Sequence, residues 1–208
     1  MKLYLSSIGI KSPQDFYDLV GKNLNIKTAL ITNAFDYKNS EDRKIKYDLV
    51  MQELTKVGLV LHDINLRDYN DEPERLKSDL INFDVIWICG GNVFLLRQYL
   101  KHSGLDKVLK EILDTGVVYG GDSAGAVVVG PSLEGFDRAD HTDQLQDVIF
   151  EGLRLVDFVV VPHNGNPKFQ PLLEEIIRDL SQKKQSYEII NDNQAVVVDQ
   201  NKSKIVGF

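Results

Sequence analysis

A serine flanked by glycines is the residue in this sequence best suited to chemistry. Ser123 lies in residues 121–125 (Gly-Asp-Ser-Ala-Gly), between the apolar segments Val117–Tyr119 and Ala126–Val129. A serine on a tight strand-to-helix turn can project its hydroxyl from the backbone, while the first amides of the following helix stay free to bind an anion. The pattern indicates either a nucleophile beside an anion site or only a glycine-rich turn.

A serine nucleophile needs a base to take its proton, and the chain offers four histidines. His62 falls in a predicted strand and His102 near the end of a predicted helix, where structural roles are more common. His141 lies in an irregular acidic segment. His163 follows the apolar segment Phe158–Val161, at the predicted carboxyl end of a strand. His163 is therefore the candidate base, with a loop hydrogen bond as the alternative.

A triad and its anion site need two further elements. A carboxylate should hold the tautomer of the base, and Asp192 in a predicted turn is the candidate, with a hairpin aspartate as the alternative. An oxyanion hole needs two backbone N–H groups. The Ala124 amide and the Gly91 amide, from the sequence Gly-Gly-Asn at 90–92, are the natural pair. A simple strand-to-helix turn is the alternative for these glycines.

The elements that must position these residues alternate between strands and helices. Apolar strands are predicted at residues 3–8, 27–34, 59–66, 84–89 and 156–161. Helices are predicted at 13–20, 41–57 with Ser40 as N-cap, 74–83, 93–102, 105–115 and 169–183. This alternation predicts a three-layer α/β fold, a mostly parallel sheet with helices on both faces and ligands at the carboxyl ends of its strands.

Two segments fall outside the alternation. Residues 130–147 contain glycine, proline, aspartates and little periodicity, and we expect an irregular excursion or a lid there. Short strands at 187–190, 194–199 and 205–208 close the chain, and their turns favour antiparallel pairing at one edge.

Length and composition narrow the class of protein. The chain has 208 residues, 43% of them hydrophobic, and a formal net charge of −7, which favours one domain spanning 1–208. Scattered cations in an acidic chain argue against a nucleic acid or membrane surface as partner. The single cysteine, Cys89, fits a reducing compartment, and no signal peptide or membrane span is recognisable. We expect a cytoplasmic protein, monomeric or homodimeric.

Three motifs together resemble the peptidase E family. They are Gly-Gly-Asn at 90–92 after a strand, Gly-Asp-Ser-Ala-Gly-Ala at 121–126, and Pro162-His163 after an apolar strand, and the resemblance covers about residues 3 to 198. The family comprises serine peptidases that include aspartyl dipeptidase and, more distantly, cyanophycinase. The resemblance implies a flavodoxin-like, class I glutamine amidotransferase-like fold without a metal or cofactor. It makes Ser123 the nucleophile, His163 the base, and the Gly91 and Ala124 amides the oxyanion donors.

Two positions depart from the family pattern. The third catalytic residue of aspartyl dipeptidase is a glutamate, whereas the matching position here is Asp192, whose side chain is one methylene shorter; Asp157 is a local alternative. The residue before the serine varies in the family and is often tryptophan or threonine. Here it is Asp122, a carboxylate that can alter the choice of substrate.

The resemblance implies a serine peptidase for short peptides, above all dipeptides with N-terminal aspartate. A cation should then meet the substrate carboxylate, and Arg138 and Arg154 are candidates, with solvated surface charges as the alternative. Asn92, beside the predicted oxyanion loop, is a further substrate-binding candidate. A non-catalytic binding or regulatory protein of the same fold and an esterase are the other interpretations. An amidotransferase-like or isomerase-like enzyme would need a cysteine where Ser123 stands.

Overall fold

The computed structural model describes residues 1–143, 145, 147–200 and 202–208, and its strands form two sheets. The strands are β1 (Lys2–Ser6), β2 (Ile26–Ile31), β3 (Leu59–Asp63), β4 (Val85–Ile88), β5 (Val118–Asp122), β6 (Val159–Asn164), β7 (Tyr187–Asn191), β8 (Gln194–Asp199) and β9 (Lys202–Gly207). Seven of them form a central sheet in the order β3-β2-β4-β5-β1-β8-β9, and β6 pairs with β7. β5 is thus the middle strand of the central sheet.

Helices connect the strands. They are α1 (Pro13–Val20), α2 (Ser40–Lys56), α3 (Pro73–Leu80), α4 (Val93–His102), α5 (Leu105–Asp114), the single-turn α6 (Ala124–Val127) and α7 (Gln170–Gln182). Short 3₁₀ turns lie at Asn33–Phe35, Leu66–Asp68 and Phe136–Arg138. Within the described part of the chain, no helix is both long enough and apolar enough to cross a membrane.

Side-chain alternation along the strands builds one core on each face of the central sheet. Leu3 and Leu5 of β1 join a core with α3 to α7, whereas Tyr4 points to the other face and joins α1 and α2. Strands β3, β2, β4, β5 and β1 pair in parallel, and β8 and β9 add antiparallel strands at one edge. The predicted fold class, a mostly parallel sheet between two helical layers, is confirmed.

The closing strands differ from the prediction in one respect. β8 and β9 are antiparallel at an edge, but β7 pairs in parallel with β6 in the separate small sheet. β8 occupies the position beside β1, with Leu3 opposite Val198 and Leu5 opposite Val196. This pairing leaves no place for β6 next to β1, so its buried residues Val159–Val161 join the core from outside the central sheet.

Several element boundaries also differ from the prediction, and β6 spans Val159–Asn164 where a strand was predicted at 156–161. The N-cap of α2 is Asn39, not Ser40, because Asn39 has extended backbone and its side chain accepts from the Asp42 amide at 2.9 Å. The apolar runs predicted as strand ends at Ala34 and Leu66 lie instead in 3₁₀ turns. Both side chains are buried, so their apolar character reflects burial in the core and not pairing in the sheet.

Candidate active site

Ser123 directly follows β5, the central strand, on a sharp strand-to-helix turn. Its backbone has φ 50° and ψ −111°, which is outside the regions that most residues adopt. The Ser123 amide donates to the carbonyl of Ser6 at 3.0 Å, and its carbonyl accepts from the amides of Ala126 and Val127 at 2.9 Å each. The turn is therefore fixed by β1 on one side and by α6 on the other.

Two glycines allow the loops around Ser123 to approach one another. A Cβ at Gly125 would lie 2.1 Å from the carbonyl oxygen of Ile88 in β4. A Cβ at Gly91 would lie 2.2 Å from the carbonyl oxygen of Ala34, and Gly91 has φ 148°. Both contacts are shorter than a side chain permits, so close backbone approach requires glycine at each position.

His163 contacts Ser123 although it belongs to the small sheet. His163 lies inside β6, and its Nε2 is 2.9 Å from Ser123 Oγ. Phe169 stacks on the imidazole ring with a centroid distance of 4.7 Å and an interplanar angle of 22°. The His163 amide donates to Ser7 Oγ at 2.9 Å, and its backbone has φ 67°. Phe169 thus holds one face of the ring, and Ser7 holds the backbone of His163.

Asp192 meets the far side of the same ring. Its Oδ1 is 2.7 Å from His163 Nδ1 and accepts a hydrogen bond from Ser7 Oγ, also at 2.7 Å, while Oδ2 accepts from Asn166 Nδ2 at 3.0 Å. With the ring proton on Nδ1, Nε2 is free to accept the proton of Ser123 Oγ.

The charge of Asp192 is set by the same contacts. Burial acts to raise its pKa, but the hydrogen bonds from Ser7, His163 and Asn166 outweigh burial, and the pKa lies below its usual value. Asp192 therefore stays ionised beside the imidazole. Asp157, the alternative acid, precedes the opposite end of β6, and its backbone carbonyl accepts from Gln185.

The sequence reasoning missed Ser7 and Asn166. Ser7 follows β1, the neighbour of β5 in the sheet, and bonds both the His163 amide and Asp192. The signal that could have found it is its position, because polar residues at carboxyl ends of parallel strands converge on one edge. Asn166 offered no comparable signal, since its loop is far in sequence from Asp192.

Two backbone amides near Ser123 remain available for an anion. Among the residues that the structure describes, neither the Gly91 amide nor the Ala124 amide donates a hydrogen bond to another residue. Both residues line the same pocket as Ser123 and His163. The neighbouring Gly90 amide is engaged, because it donates to Asp122 Oδ2 at 3.3 Å.

The pocket over Ser123 has a volume of about 480 Å³ and mixed walls. Its cationic side chains are Lys38, Lys46 and Lys168, and its carboxylates are Asp122 and Asp140. The apolar part of the lining includes Val93, Val127, Phe136, Leu173 and Ile176. The volume suits a small ligand such as a short peptide, and the lysines favour one that carries a carboxylate.

Phe136, Ala139 and Asp140, in the irregular segment predicted at 130–147, line one wall of this pocket. Asp140 Oδ2 accepts from the Val93 amide at 2.7 Å, at the start of α4. Asn92 Nδ2 donates to the His141 carbonyl at 2.7 Å, and its Oδ1 accepts from the Leu95 amide at 2.9 Å. Asn92 is buried and both ends of its amide group are engaged, so it caps α4 and fastens the segment. Burial raises the pKa of Asp140 to about 6.

The two arginine candidates lie outside the lining of this pocket. Arg138 pairs with Asp179 at 2.6 Å and with Glu175 at 3.7 Å, both on α7. Arg154 lines a different cleft of about 880 Å³, together with Asp157. Lys38, Lys46 and Lys168, which the sequence did not single out, line the pocket that contains Ser123.

Cys89 lies outside the lining of the pocket over Ser123. Cys89 is fully buried, and burial raises the pKa of its thiol well above the usual value. No group of three histidine, cysteine or carboxylate side chains in the described part of the chain is arranged to hold a metal ion.

Comparison with known proteins gives one family. Residues 14–206 match the sequence profile of peptidase family S51. An uncharacterized peptidase of Listeria monocytogenes is 32% identical over 139 residues, which cover 66% of this chain and 67% of the relative. An uncharacterized peptidase of Pasteurella multocida is 29% identical over 208 residues, which cover 99% of this chain and 96% of the relative.

One solved structure shares the fold of this chain, and one relative carries the name of an activity. A solved structure of a Listeria monocytogenes protein named as a peptidase E superposes with a TM-score of 0.84 at 23% identity, covering 100% of this chain and 98% of that one. This likeness shows a shared fold. A Drosophila melanogaster protein named "Probable alpha-aspartyl dipeptidase" is 28% identical over 152 residues, which cover 71% of this chain and 56% of the relative.

Proposed function

Because the chain belongs to peptidase family S51 and is a serine peptidase, we propose that it hydrolyses short peptides with Ser123 as nucleophile, His163 as base and Asp192 as the orienting acid. The observation that carries the proposal is one continuous chain of contacts. Ser123 Oγ lies 2.9 Å from His163 Nε2, and His163 Nδ1 lies 2.7 Å from Asp192 Oδ1. These distances are those of a nucleophile, base and acid in hydrogen-bond contact.

The first half of the reaction forms an acyl-enzyme. Ser123 Oγ attacks the scissile carbonyl carbon while His163 Nε2 takes the hydroxyl proton, and the ionised Asp192 stabilises the imidazolium. The carbonyl oxygen becomes an oxyanion held by the Gly91 and Ala124 amides. When the C–N bond breaks, His163 returns the proton to the leaving amine.

The second half of the reaction regenerates Ser123. A water molecule gives its proton to His163 Nε2 and attacks the ester carbonyl, and the same two amides hold the second oxyanion. Collapse of this intermediate breaks the bond to Ser123 Oγ, which recovers its proton from His163. The products are the carboxylic acid and the amine of the cleaved peptide.

The proposed substrates are dipeptides or short peptides with N-terminal aspartate. The volume of about 480 Å³ supports a small substrate. Recognition of a substrate carboxylate is supported by three lysines in the lining, Lys38, Lys46 and Lys168. The apolar wall near Phe136 supports a substrate whose second residue, after the N-terminal aspartate, is apolar. The name of the Drosophila melanogaster relative also supports an aspartyl substrate.

The test compares hydrolysis of Asp-Xaa, Glu-Xaa and neutral dipeptides, and of one ester, by the wild type and by Ser123→Ala. We expect Asp-Leu or Asp-Phe to be cleaved best, and Ser123→Ala to lose more than about 10³-fold in kcat/KM. Ser78→Ala, an exposed serine on α3, is the matched control and should keep full activity. A fluorophosphonate should label Ser123 in the wild type and in Ser78→Ala, and it should leave Ser123→Ala unlabelled.

Two results would contradict the proposal. Equal turnover by the wild type and Ser123→Ala would overturn the nucleophile assignment. A wild type that cleaves the ester but none of the peptides would replace the proposed peptide substrates by esters, with the same three residues in the same roles.

A further inference from the structure

Asp122 is a buried carboxylate directly before Ser123, and the proposed mechanism does not use it. Its exposed fraction is 6%. Oδ1 accepts a hydrogen bond from Trp87 Nε1 at 3.0 Å, and Oδ2 accepts one from the Gly90 amide at 3.3 Å. A buried carboxylate is costly unless its oxygens are hydrogen-bonded, so these two donors define its role.

Resting on the proposed function, we infer that Asp122 is a positioning residue that holds the Gly90–Gly91 loop so that the Gly91 amide faces the substrate oxyanion. The bond to Asp122 occupies the Gly90 amide. The amide that this loop leaves for an oxyanion is therefore that of Gly91, which has no hydrogen-bond partner among the described residues. Asp122 thus connects the turn that carries the nucleophile to the loop that carries one oxyanion donor.

The connection is close and rigid at both ends. A Cβ at Gly90 would lie 2.7 Å from Ser123 Cβ and 3.1 Å from Asp122 Oδ2, so the loop rests directly on the turn. At the other end Trp87 is fully buried, and its ring covers Gly120, where a Cβ would lie 2.3 Å from a ring carbon. The Trp87 ring is enclosed by the core and its Nε1 holds one oxygen of the carboxylate, while the other oxygen holds the Gly90 amide.

Two acceptor oxygens are required for this arrangement. An ionised carboxylate accepts from both N–H groups at once. Asparagine at position 122 would present one oxygen and one NH₂ group, so its NH₂ would face either the Trp87 or the Gly90 N–H. One donor would then lose its partner, and the loop would move. Asp122→Asn therefore removes the connection with almost no change in side-chain volume.

The charge of Asp122 also acts on its surroundings. Burial raises its pKa, whereas Lys46 on α2, the hydrogen bonds from Trp87 and Gly90, and His163 on β6 act in the opposite direction. Its charge adds to burial in raising the pKa of Tyr119 and of Cys89. A test must therefore separate position from charge. Trp87→Phe does so, because it removes one N–H donor and keeps the carboxylate.

The experiment measures kcat, KM and inhibition by a peptide boronate that matches the best dipeptide. The boronate forms a tetrahedral adduct with the serine, so its affinity reports the oxyanion donors, whereas KM mainly reports substrate binding. For Asp122→Asn we expect kcat to fall about 10- to 100-fold and boronate affinity to fall by a similar factor. KM should change by less than about threefold.

Two further variants complete the test. Asp84→Asn replaces a carboxylate that accepts from the Lys27 amide at the opposite end of β4, and it should change none of these values. Trp87→Phe should lower kcat and boronate affinity together, by less than Asp122→Asn does. Circular dichroism shows whether Asp122→Asn folds. If it does not, the kcat and boronate affinity of Trp87→Phe alone test the inference. Emission of Trp87, the single tryptophan, should shift in Asp122→Asn and not in Asp84→Asn.

The outcomes separate the two proposals. Full kcat and boronate affinity in both Asp122→Asn and Trp87→Phe would overturn the inference and leave the proposed function intact. A change in KM alone would also overturn it, because Asp122 would then act on substrate binding. A wild type that cleaves neither peptides nor esters would overturn the proposed function, and the inference with it.

Discussion

Replacing Asp140 by asparagine should stabilise the protein at neutral and alkaline pH and leave its stability at acid pH almost unchanged. The Asp140 carboxylate is packed against the start of α4, where Oδ2 accepts from the Val93 amide at 2.7 Å. Burial raises its pKa from 3.8 to about 6, and the Val93 amide and His141 offset only part of that effect. Asparagine keeps an oxygen for the Val93 amide and carries no charge that burial would penalise.

The sign and the size follow from proton linkage. A carboxyl group with a raised pKa binds its proton more tightly in the folded state than in the unfolded chain. Its contribution to stability is therefore fully present below pH 3.8 and is lost as the pH rises through about 6. A change from 3.8 to about 6 corresponds to about 3 kcal/mol in the free energy of unfolding. Asp140→Asn should recover up to this amount at about pH 8.

Urea unfolding followed by circular dichroism from about pH 4 to about pH 8 measures this difference. The matched control is Asp137→Asn, an exposed carboxylate of the same segment, whose stability should follow that of the wild type. The reasoning would be refuted if Asp140→Asn changed the free energy of unfolding equally at both ends of the range. It would also be refuted if the variant were less stable than the wild type at alkaline pH.

Three further changes test the proposed site. Asp192→Asn replaces the ionised acceptor of the imidazole Nδ1–H by a neutral amide with one acceptor oxygen, and it should lower kcat about 10⁴-fold in a steady-state peptidase assay, with KM little changed. Gly91→Ala would place a Cβ 2.2 Å from the Ala34 carbonyl oxygen. It should displace the oxyanion loop and lower kcat at least about 10²-fold, while circular dichroism shows an unchanged fold. Lys46→Met should raise KM for Asp-Xaa peptides about tenfold, and Arg138→Gln should not.

Each of these expectations has an opposite result that counts against it. Near-wild-type kcat in Asp192→Asn would mean that another group orients the histidine. An active Gly91→Ala enzyme would exclude the Gly91 amide as an oxyanion donor. An unchanged KM in Lys46→Met together with a raised KM in Arg138→Gln would mean that Arg138, and not Lys46, binds the substrate carboxylate.

The sequence predicted the large sheet and its helices because both depend on local periodicity. The helix at 93–102, for example, has the predicted limits. The small sheet was not predicted, since a run of apolar residues such as Val159–Val161 is the same in a central strand and in a strand buried beside the sheet. Pairing partners depend on which edge another strand already fills, and no local pattern carries that information.

Some residues of the candidate site could be predicted from the sequence and others could not. Ser123, Gly91 and His163 were predicted because each lies near the carboxyl end of a strand and has a distinctive residue type. Ser7 and Lys46 were not predicted, because serine and lysine are common residue types and only the position of Ser7 after β1 gave a signal. What distinguishes Ser7 in the structure is its hydrogen bond to Asp192, which is 185 positions away in the chain, and what distinguishes Lys46 is its place in the pocket lining.

The contact between Ser123 and His163 depends on how the small sheet packs on the large one. Ser123 is fixed by the central sheet, whereas His163 is fixed by β6, so no strand pairing sets the distance between them. Among the described residues, the contacts that hold the two parts together include the packing of α6 and α7 on β6, the hydrogen bond from the His163 amide to Ser7, and the bond from Ser7 to Asp192. Ser7 belongs to the central sheet side and bonds two residues of the other side. Ser7 is therefore the small polar residue through which the central sheet holds both His163 and Asp192. We expect loss of its hydrogen bonds to loosen the contact between Ser123 and His163 while core packing keeps both sheets folded.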